Sequence, residues 1–303
     1  MFKTLHLIAI MPLMLVVIIL SQIVPWSGLL IFSSDIAEYL HKFCINQMPI
    51  NSPYKSLYQA LVCGEPLNKS QYFASIKALG LLHLFVVSGF HLQFVYKSLE
   101  KVFKESTKFK QIFILIILLI YTFVCLLKAP VLRSYLQLLL AYKIKNEALR
   151  ILIAGCVLLI FAPEYWTSLS LQLSWLIALI LCQINLKESS KSLLIYFVLI
   201  ILLSPLEIAH PFTMLTTYLF TPFISFFLLP FSFATAFLPK LSVITDFLWF
   251  IFIYITGFLA KELPLLEFSI QIEPPIKWLI VIFSNLIMYY SSITSKRSNL
   301  KCG

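Results

Sequence analysis

Two histidines, a serine and a glycine lie within one short apolar stretch, GLLHLFVVSGFHLQFVY, at residues 80–96. Ser88 and His91 could form a hydrolase pair, but a nucleophile elbow reads G-x-S-x-G, and Val86 occupies the first glycine position. In a continuous helix His83 and His91 lie about 12 Å apart along the axis, too far to share one metal ion. Helix packing, a hydrolase pair and a polar stripe lining a hydrated path all remain open.

A guanidinium occurs in a second apolar stretch, CLLKAPVLRSYLQLLLAY. Pro130 suits the first turn of a helix, where its missing N–H costs nothing. A helix over residues 129–142 would be about 21 Å long, shorter than the roughly 30 Å hydrocarbon core. Arg133 in its second turn and Lys128 just before it would attract an anion such as phosphate. Alternatively, Arg133 reaches the membrane surface or pairs with an acid such as Glu164.

Polar side chains also mark a third apolar stretch, PEYWTSLSLQLSWLIALIL. In a helix Ser170 and Ser174 are one turn apart on one face, whereas Gln172 points elsewhere. Polar residues at this density more often join neighbouring helices than bind a ligand.

The composition predicts an integral membrane protein. Of 303 residues, 60% are hydrophobic and only 12% are charged, with a mean hydropathy of +0.95. Continuous apolar runs favour helices over the alternating strands of a membrane barrel. We therefore predict an all-α polytopic helical bundle of about ten transmembrane segments, with at least one short or discontinuous helix. The predicted segments are Leu7–Val24, Ala78–Tyr96, Phe109–Leu127, Ala129–Tyr142, Leu149–Phe161, Tyr165–Gln183, Ser192–Leu206, Phe212–Phe231, Val243–Ala260 and Ile276–Tyr290.

Lysine and arginine positions predict the orientation. We expect residues 1–25 to form a first transmembrane helix rather than a cleaved signal peptide, residues 26–77 an extracytoplasmic loop, and residues 78–303 the membrane domain. With both termini in the cytoplasm, basic residues favour the inside by about two to one, and Lys240 is placed inside. The net charge of +10 is then mainly a topology signal, with attraction of a polyanion as the second interpretation.

Cys44 and Cys63 are the cysteines of the predicted external loop. In an oxidising compartment they either pair or remain free thiols. A disulfide between them would close a loop of about twenty residues and stabilise the fold by about 3 kcal/mol. No CxxC motif is present, and we predict no metal site and no cofactor.

Five motifs, in order, resemble the ComEC competence family. HLFVVSGFH at residues 83–91 is similar to the family's HLLAISGLH, and ALVCGEPL at residues 60–67 is similar to a stretch that precedes it. APVLRS at residues 129–134 corresponds to a turn followed by VLRA, and LSLQLSWLIA at residues 169–178 to LSFQLSFLA. TPFISFFLLPF at residues 221–231 resembles a later stretch with two prolines. Together they cover residues 60–240.

The resemblance implies a non-enzymatic channel in the bacterial inner membrane that takes up single-stranded DNA during natural transformation. It implies membrane lipid around the chain and, as separate partners, a DNA receptor, a nuclease and a cytoplasmic motor or single-strand-binding protein. The residues that the resemblance and the polar pattern nominate for the DNA path are His83, Ser88, Gly89, His91, Lys128, Arg133, Gln172 and Ser174.

Two departures from the family keep alternatives open. Many members carry an external β-rich domain and a metallo-β-lactamase-like domain with an HxHxDH motif, and neither pattern is visible in this sequence. A small-molecule secondary transporter is one alternative, although its expected internal repeats are not apparent. The other is a degenerate relative that has lost uptake activity.

Overall fold

The part of the chain described by the computed structural model is helical, without strands. It comprises residues 27–85, 89–103, 108–182, 193–197, 212–262 and 276–280. The predicted all-α class is therefore confirmed for these residues. The predicted first segment, Leu7–Val24, lies outside them, as do most of Ser192–Leu206 and Ile276–Tyr290.

The helices are numbered along the chain. The first five are α1 (Ser27–Gln47), α2 (Lys55–Tyr58), α3 (Phe73–Ala78), α4 (Leu82–Phe85) and α5 (Gly89–Val102). Next come α6 (Lys108–Val124), α7 (Ala129–Leu140), α8 (Glu147–Phe161) and α9 (Leu169–Leu181). The last three are α10 (Phe212–Phe223), α11 (Leu229–Phe237) and α12 (Ser242–Glu262). A π-turn (Gln59–Cys63) continues α2, and a second π-helical turn (Ile224–Leu228) joins α10 to α11.

The predicted helix Ala78–Tyr96 begins too early. Helix α3 ends at Ala78, Gly80 adopts a φ of 66°, and the described residues are helical again in α4 from Leu82 and in α5 from Gly89. The left-handed backbone at residue 80 is open to glycine and costly for other residues. Because the sequence is uniformly apolar across this break, its composition did not indicate where one helix ends and the next begins.

Helices α5, α6 and α7 pack around one apolar cluster. Its buried members are Leu92, Ile114, Leu118, Tyr121, Cys125 and Val131. Helix α7 begins at Ala129 with Pro130 in its first turn and ends at Leu140, which confirms a helix too short to cross a bilayer. Its 12 residues give a length of about 18 Å.

Side-chain caps begin the next two helices. The Asn146 side chain accepts a hydrogen bond from the Leu149 N–H at the start of α8, and the Ser168 hydroxyl accepts one from the Leu171 N–H at the start of α9. Each cap satisfies one of the free N–H groups of a helix N-terminus. The Ser168 cap fixes where α9 begins, and therefore the level along α9 at which Ser174 contacts Arg133 of α7.

Two helices in the described residues are long and apolar enough to span a membrane. They are Leu215–Phe237, which includes the second π-helical turn, and Pro239–Glu262. Phe109–Val124 and Leu169–Leu181 are apolar but shorter. The described helices therefore do not confirm a bundle of about ten spans.

The segment 26–77, predicted as an external loop, contributes residues to the core. Leu57, Tyr58, Leu61 and Cys63 are fully buried and belong to one cluster with Trp249 and Phe252 of α12. Cys44 and Cys63 form a disulfide that ties α1 to the end of the π-turn.

Asp246 near the start of α12 is bonded to the same segment. Ser52 Oγ and Tyr58 Oη each donate to Asp246 Oδ1 at 2.7 Å. Burial and the bond to Asp246 raise the pKa of Tyr58, so the phenol remains a donor. The sequence predicts residues 26–77 outside and Lys240 inside. Asp246 lies only about 6 Å along α12 from its first residue, so its bonds to Ser52 and Tyr58 lead us to expect Lys240 on the same side as residues 26–77.

Candidate functional site

Arg133 is the centre of the candidate site. It lies in α7 and is 2% exposed. Its Nε donates to Ser174 Oγ of α9 at 3.1 Å, and its Nη1 donates to Gln137 Oε1 at 3.1 Å. Its Nη2 makes a longer contact of 3.5 Å with Ser134 Oγ. All three acceptors are neutral, and no carboxylate among the described residues pairs with the guanidinium.

Gly89, the first residue of α5, lies directly against this cluster. A Cβ atom at residue 89 would be 1.9 Å from Ser134 Oγ and 3.6 Å from Arg133 Nη2. The absence of a side chain is therefore what lets α5 approach α7 here. The site lies where three of the predicted polar stretches meet, on α5, α7 and α9.

The structure does not bring every nominated residue to Arg133. His83 lies in α4, where its Nδ1 donates to the carbonyl of Gly80 at 2.8 Å, a local bond that holds the helix break. His91 is buried in α5 at 2% exposure. Gln172 is buried on α9, and its Oε1 accepts no hydrogen bond from the described residues. Ser88 lies outside the described residues.

Lys128 precedes α7, and its hydrogen-bond partner is not part of the Arg133 cluster. Its Nζ donates to the carbonyl of Gly64, at the end of the π-turn. Burial lowers the pKa of Lys128, while the nearby Glu65 acts in the opposite direction. Lys128 therefore connects the start of α7 to residues 64–65 rather than completing the guanidinium cluster.

Sequence interpretation missed two of the three partners of Arg133. Gln137 is four residues beyond Arg133, which places both side chains on one face of a helix, so this spacing was an available signal. Ser134 is adjacent to Arg133 in sequence, and no helical spacing of this kind indicated it as a partner. Glu164, considered as an ionic partner, does not pair with Arg133.

The site is closed in this conformation. Arg133 and His91 are each 2% exposed, so bulk water reaches neither side chain. A cavity of about 50 Å³ lies at the other end of α5–α7, lined by Tyr96, Glu100, Lys110, Gln111, Ile114 and Tyr142. Among the described residues, no group of three His, Cys, Asp or Glu side chains could hold a metal ion.

Comparison with known protein families identifies the family to which the chain belongs. A family model described as "Competence protein" matches residues 65–297, which include Gly89 and all the residues that contact Arg133. The chain belongs to the competence protein family. Membership in this family, together with two helices of membrane-spanning length, identifies a competence-related membrane protein.

The competence-family chain is also similar to an uncharacterized protein of Mycoplasma genitalium. The two are 23% identical over 203 residues, which are 64% of this chain and 50% of the relative. The chain thus spans about half the length of the curated relative it matches. No solved structure matches it.

Proposed function

We propose that this chain forms a membrane channel through which one strand of DNA enters the cell during natural transformation. The observation that carries the proposal is the Arg133 guanidinium, which is buried at the junction of α5, α7 and α9 and pairs with no carboxylate of the described residues. An unpaired charge costs several kcal/mol to bury. Ionisable groups inside membrane proteins are by default functional candidates.

The chemistry of the guanidinium suits a phosphodiester. Arg presents five N–H donors in a planar fork that matches two phosphate oxygens, and a bond to an anionic oxygen is stronger than one to a neutral oxygen. Ser134, Gln137 and Ser174 occupy the directions that phosphate oxygens would take. We expect a passing phosphate to displace these three side chains from the guanidinium. When they bond to Arg133 again, they favour release of the phosphate.

Passage of a strand requires the closed cluster to open. Helices α5 and α7 touch at Gly89 and Ser134, and α7 is joined to α9 through Arg133 and Ser174. Separation of these helices would expose the guanidinium to the strand. The net charge of +10 would favour a polyanion during this step.

The proposal includes a location and partners. The chain would lie in the bacterial inner membrane as a multi-pass protein with both termini in the cytoplasm. It would receive DNA from a separate receptor, act beside a separate nuclease, and pass single-stranded DNA to a cytoplasmic motor or single-strand-binding protein. The channel itself would catalyse no reaction.

A deletion strain tests the proposal with labelled DNA. We expect deletion to leave DNA bound to the cell surface while nuclease-protected, internalised DNA and transformants disappear. Complementation with the full chain should restore both. Unchanged transformation in the deletion strain would refute the channel. Loss of surface binding together with uptake would assign the chain to DNA capture instead.

A further inference from the structure

The turn between α6 and α7 has an unusual backbone. Leu126 and Leu127 have φ angles of 54° and 51°, two consecutive residues in the left-handed region. This region is disfavoured for residues with a Cβ atom, and leucine has no side-chain polar group to offset the cost. The turn must therefore be held by contacts from other parts of the chain.

Two side chains from distant segments, and one from the turn itself, supply those contacts. His41 Nδ1 of α1 donates to the carbonyl of Val124 at 2.8 Å, and Tyr165 Oη donates to the carbonyl of Leu127 at 2.8 Å. Lys128 Nζ donates to the carbonyl of Gly64. The turn leads directly into α7, so its geometry sets where Arg133 lies.

The His41 contact depends on a proton. A carbonyl can only accept, so Nδ1 must carry a hydrogen to bond Val124. Nε2 lies 2.9 Å from Glu65 Oε2. That bond needs one further proton, either on Nε2 or on the carboxyl group. Without it, a nitrogen lone pair faces a carboxylate oxygen at hydrogen-bonding distance, and the two acceptors repel.

We propose that His41 and Glu65 form a proton-dependent latch on the α6–α7 turn, and through it position the Arg133 end of α7. With the proton present, His41 bridges Val124 and Glu65. When the proton leaves, the imidazole must give up one of these two partners, and the turn loses a contact that offsets its backbone strain.

The surroundings allow this proton to exchange. The Glu65 side chain is 35% exposed, so the pair has access to solvent, whereas the His41 side chain is 7% exposed. Among the described residues, α6 packs against α1 and carries the titratable side chains Lys110 and Tyr121, with Cys125 directly after it. Helix α1 itself carries the ion pair of Glu38 and Lys42. Lys128 is close enough to Glu65 for the two charged groups to attract each other.

The sign of the effect follows from proton counting. The latched state holds one proton more than the released state at alkaline pH, so latching weakens as the pH rises. Loss of a single proton changes the opening equilibrium by up to about tenfold per pH unit. Amide exchange is therefore compared between about pH 5 and about pH 8, the range in which imidazole groups in proteins generally change charge.

Hydrogen–deuterium exchange of the full chain in lipid nanodiscs tests the latch. After correction for intrinsic exchange, we expect residues 122–132 to lose protection by about tenfold or more across that interval. In Glu65→Gln the amide N–H donates to a neutral Nε2, so no additional proton is needed. This variant should stay protected throughout. Glu38→Gln, which removes an exposed carboxylate of α1 that pairs with Lys42, should behave as the native chain.

Two results would overturn the latch. One is protection of residues 122–132 that does not change with pH in the native chain. The other is a Glu65→Gln variant that loses protection with pH as the native chain does. Because the readout is amide exchange without DNA, failure of the latch leaves the channel proposal untouched, and failure of DNA uptake leaves the latch untouched.

Discussion

Arg133 Nε donates a hydrogen bond to Ser174 Oγ across 3.1 Å, and this bond joins α7 to α9 at the point where α5 also arrives. The donor is charged and the acceptor is neutral. Such a bond holds the helices together without neutralising the guanidinium, so the positive charge remains available to an anion. Structure and proposed transport therefore depend on the same contact.

The first prediction concerns this bond. Ser174→Ala should lower the free energy of unfolding by about 1.5–3 kcal/mol, the range for a hydrogen bond to a charged group. In an Arg133→Gln background the same change should cost less, because the charge is gone. Denaturation of the four proteins in detergent completes a double-mutant cycle. Ser170→Ala, which removes a hydroxyl bonded to Ser168, is the matched control. Strictly additive effects of Ser174→Ala and Arg133→Gln would contradict the contact.

The second prediction concerns the close approach of α5 and α7. Gly89→Ala places a methyl group 1.9 Å from Ser134 Oγ, so the helices must move apart. Overpacking of this kind typically costs about 1–3 kcal/mol. Gly257→Ala on α12 meets no atom within 4 Å and should be neutral or stabilising. Equal thermal stabilities of the two variants would show that α5 does not approach α7 as described.

The third prediction concerns Cys44 and Cys63. Replacing both with serine should lower the unfolding free energy by about 3 kcal/mol, since the bridge closes a segment 19 residues long. When the unsubstituted chain is denatured without reductant and alkylated, these two cysteines should stay unmodified. If both thiols alkylate without reductant, the bond does not form in cells.

The fourth prediction concerns topology. The bonds from Ser52 and Tyr58 to Asp246 predict that Lys240 is on the same side of the membrane as Lys42. A membrane-impermeant maleimide added to intact cells should label Lys240→Cys and Lys42→Cys, and should reach Lys97→Cys only after permeabilisation. If Lys240→Cys, like Lys97→Cys, is labelled only after permeabilisation, Lys240 lies inside, as the positions of the basic residues predicted.

Local chemistry was predictable from the sequence where one segment determines it. Pro130 and the length of the apolar run predicted the short α7. Helical spacing could also have indicated Gln137 as a partner of Arg133, although that contact was not predicted. The break at Gly80 was missed because uniform apolar composition hides a helix end. An isolated glycine in a helical pattern was the weak signal available there.

Contacts between distant segments could not be predicted in the same way. The His41–Glu65 pair spans 24 residues, and Tyr58 and Asp246 are 188 residues apart. Nothing in either sequence neighbourhood identifies its partner. The count of basic residues also takes no account of such contacts, although buried residues of the segment 26–77 pack against α12.

The most direct test of the account measures DNA uptake by Arg133 variants. Cells carrying Arg133→Gln, at normal membrane levels and with normal surface binding, should internalise labelled DNA at least about tenfold less well, because a charged hydrogen bond is worth more than about 1.4 kcal/mol. Arg133→Lys, which keeps the charge but not the fork, should be intermediate, and Lys97→Gln should be normal. Native uptake by Arg133→Gln would contradict the central claim that this buried guanidinium handles the phosphates of incoming DNA.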